Sequence, residues 1–132
     1  MTELELQAQV ADYIRLQYPN VLFHSDFGSG IKLTMGQAAK QKRLQGGRRA
    51  WPDMFIAQPM VITIDGDKYR YAGLFLELKR DGTRIKKKSG EWASDHIKEQ
   101  RDVLFDLNVR GYRAEFAVGF DEAKKIIDEY LG

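Results

Sequence analysis

Asp53 follows Pro52 at the head of a short apolar run, and Glu77 and Lys79 alternate with leucines in the segment Gly73-Leu74-Phe75-Leu76-Glu77-Leu78-Lys79. A strand's period of two sends Leu74, Leu76 and Leu78 to one face and Phe75, Glu77 and Lys79 to the other. Burying a charge is costly unless it is paired or bound to metal, so ionisable residues in such surroundings need a reason. Two carboxylates on neighbouring strands can grip a hard cation such as Mg²⁺ through oxygen, with the backbone carbonyl of Leu78 between them. Lys79, one pleat from Glu77, could steer or activate an attacking water and support charge on a phosphate. That is equipment for phosphodiester hydrolysis. The same residues admit a plainer reading, in which Glu77 and Lys79 form a neighbour pair on the wet face of an antiparallel sheet and Asp53 is a turn residue after proline. Pro-Asp and Glu-x-Lys both arise often by chance.

The elements that would have to position these groups are legible in the periodicity. Thr2 followed three residues later by Glu5 is a capping box, and Leu6, Val10, Tyr13 and Ile14 recur at helical spacing until Tyr18-Pro19-Asn20. Glu3 falls on the stripe of Leu6, Gln7 and Val10 and leans inward, whereas Glu5 leans outward. Residues 21–26 read as a strand, Gly28-Ser29-Gly30 as a turn, and 37–45 as a basic helix ending at Gly46-Gly47, a pair suited to a left-handed cap. Residues 54–57 and 60–64 are short apolar runs separated by Pro59, and Asp65-Gly66 signals a hairpin into 68–71. Gly82 to Gly90 is a basic loop. Ser94 caps a helix with the stripe Ile97, Gln100, Val103, Leu104 and Leu107, of which Gln100 is the one polar member, and Gly111 ends it. A last strand over 112–118 and a last helix over 121–131 follow, with Ile126, Ile127 and Tyr130 inward. This order predicts an α/β domain in which helices flank a mixed sheet.

The whole chain, 132 residues, is read as a single domain, since it has no internal repeat, linker or low-complexity tract and has the length of one core. With 43 % hydrophobic and 30 % charged residues it is not a disordered tail. The absence of cysteine removes disulfides, thiolate metal sites and cysteine nucleophiles, and suits a reducing compartment. The acidic, periodic N-terminus lacks the basic start and apolar run of a secretory signal, and no stretch approaches the roughly 20 apolar residues of a membrane span. A cytoplasmic location, away from membranes, is the expectation.

The net charge of +2 conceals a strong separation. Residues 27–52 hold six basic side chains, Lys32, Lys40, Lys42, Arg43, Arg48 and Arg49, and no acid. Residues 79–88 hold Lys79, Arg80, Arg84, Lys86, Lys87 and Lys88 against Asp81 alone. Together these runs carry +11 and the rest of the chain −9. Such clustering suits a polyanionic partner bound through phosphate neutralisation, although charge runs are also common as solvated surface.

The company that Asp53, Glu77 and Lys79 keep is informative. Ala50-Trp51-Pro52-Asp53, then Gly73 to Lys79, then Gln100, resembles the PD-(D/E)XK nuclease superfamily. Within it the chain is similar to the VRR-NUC domain, the virus-type replication-repair nuclease family, in its small stand-alone phage or prophage form. The match extends to Glu3, Leu6, Gln7, Val10, Tyr13 and Ile14 of the first helix and to Gly111-Tyr112-Arg113-Ala114. The resemblance implies a restriction-endonuclease-like fold and cleavage of DNA with Mg²⁺ or Mn²⁺, leaving 5′-phosphate and 3′-hydroxyl ends. It implies that Asp53 and Glu77 are metal ligands, Lys79 the catalytic lysine, Glu3 a supporting acid that reaches the metal directly or through water, and Gln100 a positioning residue. Stand-alone members resemble Holliday-junction resolvases, so a branched DNA substrate and a homodimer are implied as well. Lys40, Lys42, Arg43, Arg48 and Arg49 on one arm, and Arg80, Arg84, Lys86, Lys87 and Lys88 on the other, would then grip backbone phosphates with little base reading. The alternatives are the same site acting on a flap, nick or duplex, and a nucleic-acid-binding module without turnover. One departure from the family pattern is Ala50, where glycine is usual; if that position needs a positive φ, alanine strains the loop.

Other candidates are weaker. His24 and His96 are too far apart to suggest a site, and His96, one turn before Gln100, suits a cap, the surface or the rim of the site. Gly28-Ser29-Gly30 lacks the lysine of a phosphate-binding loop. Trp51 and Trp92 border the basic runs and are either core or stacking residues. Asp65 and Asp67 flank a hairpin turn, where aspartate serves turn geometry.

Overall fold

The computed structural model describes residues 1–26 and 32–132, and the Gly28-Ser29-Gly30 turn lies outside the described residues. Helix α1 (Glu3–Gln17) opens on the Thr2/Glu5 capping box. Strand β1 (Phe23–Ser25) leads to α2 (Met35–Leu44), then β2 (Met54–Ile56), β3 (Met60–Ile64), β4 (Asp67–Tyr71) and β5 (Leu74–Lys79). Helix α3 (Asp95–Val109), β6 (Arg113–Val118) and α4 (Gly119–Leu131) complete the chain. None of the helices is long and apolar enough to cross a membrane among the described residues.

Four strands form a sheet in the order β1-β2-β5-β6, antiparallel except for the parallel β5–β6 pair, so the sheet is mixed. A parallel pair needs a crossover, and α3 supplies it. Leu74, Leu76 and Leu78 project into the main core against Leu6, Val10 and Ile14 of α1 and Ile127 and Tyr130 of α4. On the other face Phe75 and Phe116 pack against Val103, Leu104 and Leu107 of α3. The alternation expected of β5 is thus realised, with both faces covered. Gly73 is required where β5 begins, because a Cβ there would stand 2.6 Å from the Phe55 ring and 2.9 Å from the Ile56 carbonyl.

The Asp65-Gly66 hairpin forms as expected, with φ of 50° and 85° as a two-residue primed turn demands, and joins β3 to β4 in a separate two-stranded sheet. Strand β1 is shorter than the predicted 21–26, because its partner β2 has only three residues between Pro52-Asp53 and the approach to Pro59. Ladder hydrogen bonds nevertheless continue past both ends, from Ala57 N–H to Leu22 O and from Asp26 N–H to Asp53 O, each 2.8 Å. Helix α2 starts two residues earlier than the expected 37–45, on a second capping box formed by Thr34 and Gln37. It ends at Gly46-Gly47 with both φ positive, as expected, and it buries none of its residues.

Candidate active site

Extending the β2–β5 register from the Met54–Leu76 pair places Asp53 opposite Glu77 and Pro52 opposite Leu78. Directly opposed residues share a face with Cβ atoms about 5 Å apart, so the sheet itself brings the two carboxylates together. The same register explains the proline. Pro52 has no N–H, so the Leu78 carbonyl receives no ladder bond from it, while the Leu78 N–H turns to the neighbouring side chain and donates to Asp53 Oδ2 at 2.7 Å. In an extended strand the N–H and C=O of one residue point to the same edge, so the Leu78 carbonyl opens toward Asp53.

Asp53, Glu77 and Lys79 are 6 %, 3 % and 6 % exposed, which excludes the reading of a wet surface pair and a loose turn aspartate. Lys79 Nζ lies 3.6 Å from Glu77 Oε1, and Gln100 Nε2, from the otherwise apolar stripe of α3, donates to the same oxygen at 2.6 Å. The other Glu77 oxygen, Oε2, and Gln100 Oε1 are buried with no hydrogen-bond partner. Burial, then the charge of Asp53, pushes the Glu77 carboxyl well above the usual range; Lys79 opposes this, while the charge of Glu3 adds to it. A half-satisfied carboxylate beside a second one favours a cation or a proton at that point.

Glu3 is half-buried at the first turn of α1 and leans inward as expected. Its charge bears on Glu77, but no group of three or more His, Asp or Glu side chains able to hold a metal ion is present among the described residues. Asp53 and Glu77 form a carboxylate pair beside the Leu78 backbone, with the charge of Glu3 bearing on Glu77.

A cleft of about 650 Å³ opens over Asp53 and Glu77. Gln100, exposed His96, Trp51 and the flank of α2 line it, and Lys42 and Arg49 bring positive charge to it. All ten predicted phosphate-gripping residues are exposed, but they are placed differently. Lys40, Lys42 and Arg43 are on α2, while Arg48 is tied to Asp106 of α3 at 2.8 Å. Arg80 directly follows β5, and Lys86 stands 4.7 Å over the Trp92 ring in a loop closed by a Lys86–Trp92 bridge. No residue of this second arm lines the cleft.

Sequence reasoning passed over Asp26, which also lines the cleft. One step beyond the Ser25–Met54 pair it stands opposite Asp53, so Asp26, Asp53 and Glu77 form a row across three strands. Only strand pairing reveals that row. Gln7, 5 % exposed, donates to the Asp26 carbonyl at 2.7 Å and anchors this end of β1 to α1. Ala50, in the approach to Pro52, has a φ of 63°, so the departure from glycine falls on a position that does adopt the left-handed region.

A mixed sheet flanked by helices, with buried acids and a lysine at the ends of adjoining strands, is the restriction-endonuclease-like arrangement. A solved structure described as a VRR_NUC domain protein matches with a TM-score of 0.67 and 26 % identity, covering 99 % of this chain and 88 % of that one. The chain shares the VRR-NUC domain fold, in agreement with the resemblance carried by its motifs. No protein-family model and no curated protein matches it.

Proposed function

We propose that this protein is a nuclease that hydrolyses DNA phosphodiester bonds with Mg²⁺ or Mn²⁺. The observation that carries the reading is the buried Asp53–Glu77 pair, with Glu77 Oε2 lacking a donor and Lys79 beside it. The donor set, two carboxylates and a backbone carbonyl, is all oxygen and fits a hard divalent cation. Such an ion, when bound, would polarise the phosphate and make a bound water more acidic. Within the chain, Leu78 N–H aims Asp53, Gln100 holds one oxygen of Glu77, and the Lys79 ammonium, fixed by Glu77, places positive charge where the phosphate gains negative charge. Lys42 and Arg49 at the cleft and the exposed basic residues of α2 hold the flanking phosphates.

The test is incubation of the protein with linear and branched DNA in Mg²⁺, in Mn²⁺ and in EDTA. Cleavage abolished by EDTA and by Glu77→Ala, with DNA binding kept, is the expected result. Binding without cleavage in either metal would mean a binding module instead. A branched substrate and a homodimer belong to the same proposal: symmetric paired nicks across a four-way junction, and a two-chain mass in sedimentation, are expected. Cutting only beside single-strand ends, by a monomer, would replace the resolvase reading with a flap-type one.

A further inference from the structure

Helix α2 has an unusual economy. It buries none of its ten residues, and Met35 at its start is 91 % exposed. Its apolar side chains Met35, Ala38 and Ala39 line the cleft above Asp53 and Glu77, and among the described residues they belong to neither core cluster. Trp51 lines the same cleft and is 39 % exposed. Its ring is fixed rather than loose: Nε1 donates to the Gln45 carbonyl at 3.3 Å, and the ring leans on Phe75 with centroids 6.3 Å apart. An aromatic held in place beside two carboxylates, opposite aliphatic groups and with Lys42 and Arg49 also lining the space, has the chemistry of a site for an apolar ring attached to a phosphate. The volume of about 650 Å³ is that of a small-molecule site and has room for a nucleotide or two.

We infer that the cleft takes one unpaired strand, with a nucleobase stacked on Trp51 and covered by the Met35–Ala38 flank of α2, so that the DNA is single-stranded or splayed where it is cut. This rests on the nuclease reading and narrows it to substrates in which a strand is unpaired or readily opens at the site, such as the pairs at a branch point and splayed arms. The base is held by its ring face, so the slot is indifferent to sequence.

The test is binding in EDTA, which separates recognition from turnover. With Trp92→Phe as background, Trp51 is the one tryptophan left, and its fluorescence reports the slot directly. Oligothymidylate is expected to quench it, and a blunt duplex of equal length is not. Trp51→Ala should weaken oligothymidylate binding on the order of 10-fold while leaving duplex binding unchanged, and Trp51→Phe should keep most of the affinity. Met35→Ala, at a side chain too exposed to affect folding, should weaken the single strand about twofold to threefold. Unchanged single-strand binding in Trp51→Ala and Met35→Ala, or equal losses for both DNA forms, would overturn the slot and leave the nuclease reading standing. Failure to bind any DNA would overturn both.

Discussion

Two carboxylates in this molecule are held in opposite ways. Asp128, where α4 meets α1, has both oxygens supplied with donors. Oδ1 accepts from the Tyr13 and Tyr18 hydroxyls and Oδ2 from Lys124 Nζ at 2.8 Å. Burial alone would raise its pKa, but the hydrogen bonds from Lys124, Tyr13 and Tyr18 prevail and hold the carboxyl below its ordinary value. The cost falls on Tyr18, whose hydroxyl is pushed up to about 12 by burial and by Asp128. Glu77 is more deeply buried and less well supplied: one oxygen is contacted by Gln100 and Lys79, the other by no donor, and its pKa moves up. A carboxylate that serves the fold is saturated with donors. One left short of them beside a second acid is held in a state that an added cation relieves, which costs stability and serves function.

The largest expected effect breaks the Glu77 side of this contrast. Glu77→Gln should lower DNA cleavage on the order of a thousandfold. It should also raise the melting temperature of the metal-free protein. Because Glu77 has a raised folded pKa, its ionisation penalises the fold above that pKa, and the penalty fades as pH falls and the carboxyl protonates. The gain in melting temperature should therefore be larger at pH 8 than at pH 5, and equal gains at both would contradict the assigned cause. Next, Lys79→Met should lose about a hundredfold in turnover while divalent-ion binding, followed by calorimetry, largely survives. Turnover at the wild-type rate would remove the lysine from the mechanism.

The Asp128 side gives a smaller effect of opposite kind. Asp128→Ala leaves two tyrosine hydroxyls without their acceptor and should cost about 2 kcal/mol in urea unfolding, with cleavage per folded molecule unchanged. A depressed folded pKa contributes stability that is fully present above the unfolded value near 4 and is lost as pH falls through the folded one. The difference between wild type and Asp128→Ala should accordingly shrink below about pH 4, the reverse of the Glu77→Gln trend. The smallest effect lies at the rim of the site. Ala50→Gly relieves a left-handed alanine but gives up a methyl group packed against the cluster of Val103, Leu104, Leu107 and Ala114, so a net gain of only a few tenths of a kcal/mol is expected in the same unfolding experiment.

How much of this was legible in the chain differs by element. Thr2-x-x-Glu5, Ser94, Gly46-Gly47 and Asp65-Gly66 act through neighbours a few residues away, and each forms the cap or turn its type dictates. The alternation in Leu74 to Lys79 correctly separated the leucines from Glu77 and Lys79, and the lone glutamine in the stripe of α3 correctly marked a contact with the site. The Asp26–Asp53–Glu77 row was not legible, because it depends on which strands pair and in what register. Nor was the unequal placement of the two basic runs, one reaching the cleft through Lys42 and Arg49 and the other held partly by Trp92.

Local chemistry, residue by residue, thus determined the caps and turns, the two faces of β5 and the identity of the charged groups that had to be buried together, since caps, turns and pleat periodicity act over a few residues. What only the folded chain decided was which atoms those groups meet: Pro52 falling opposite Leu78, Asp53 accepting the Leu78 N–H, and Glu77 keeping one oxygen without a donor. Those outcomes depend on strand register and on the approach of α3 across the sheet, contacts between residues more than twenty positions apart that no local pattern encodes.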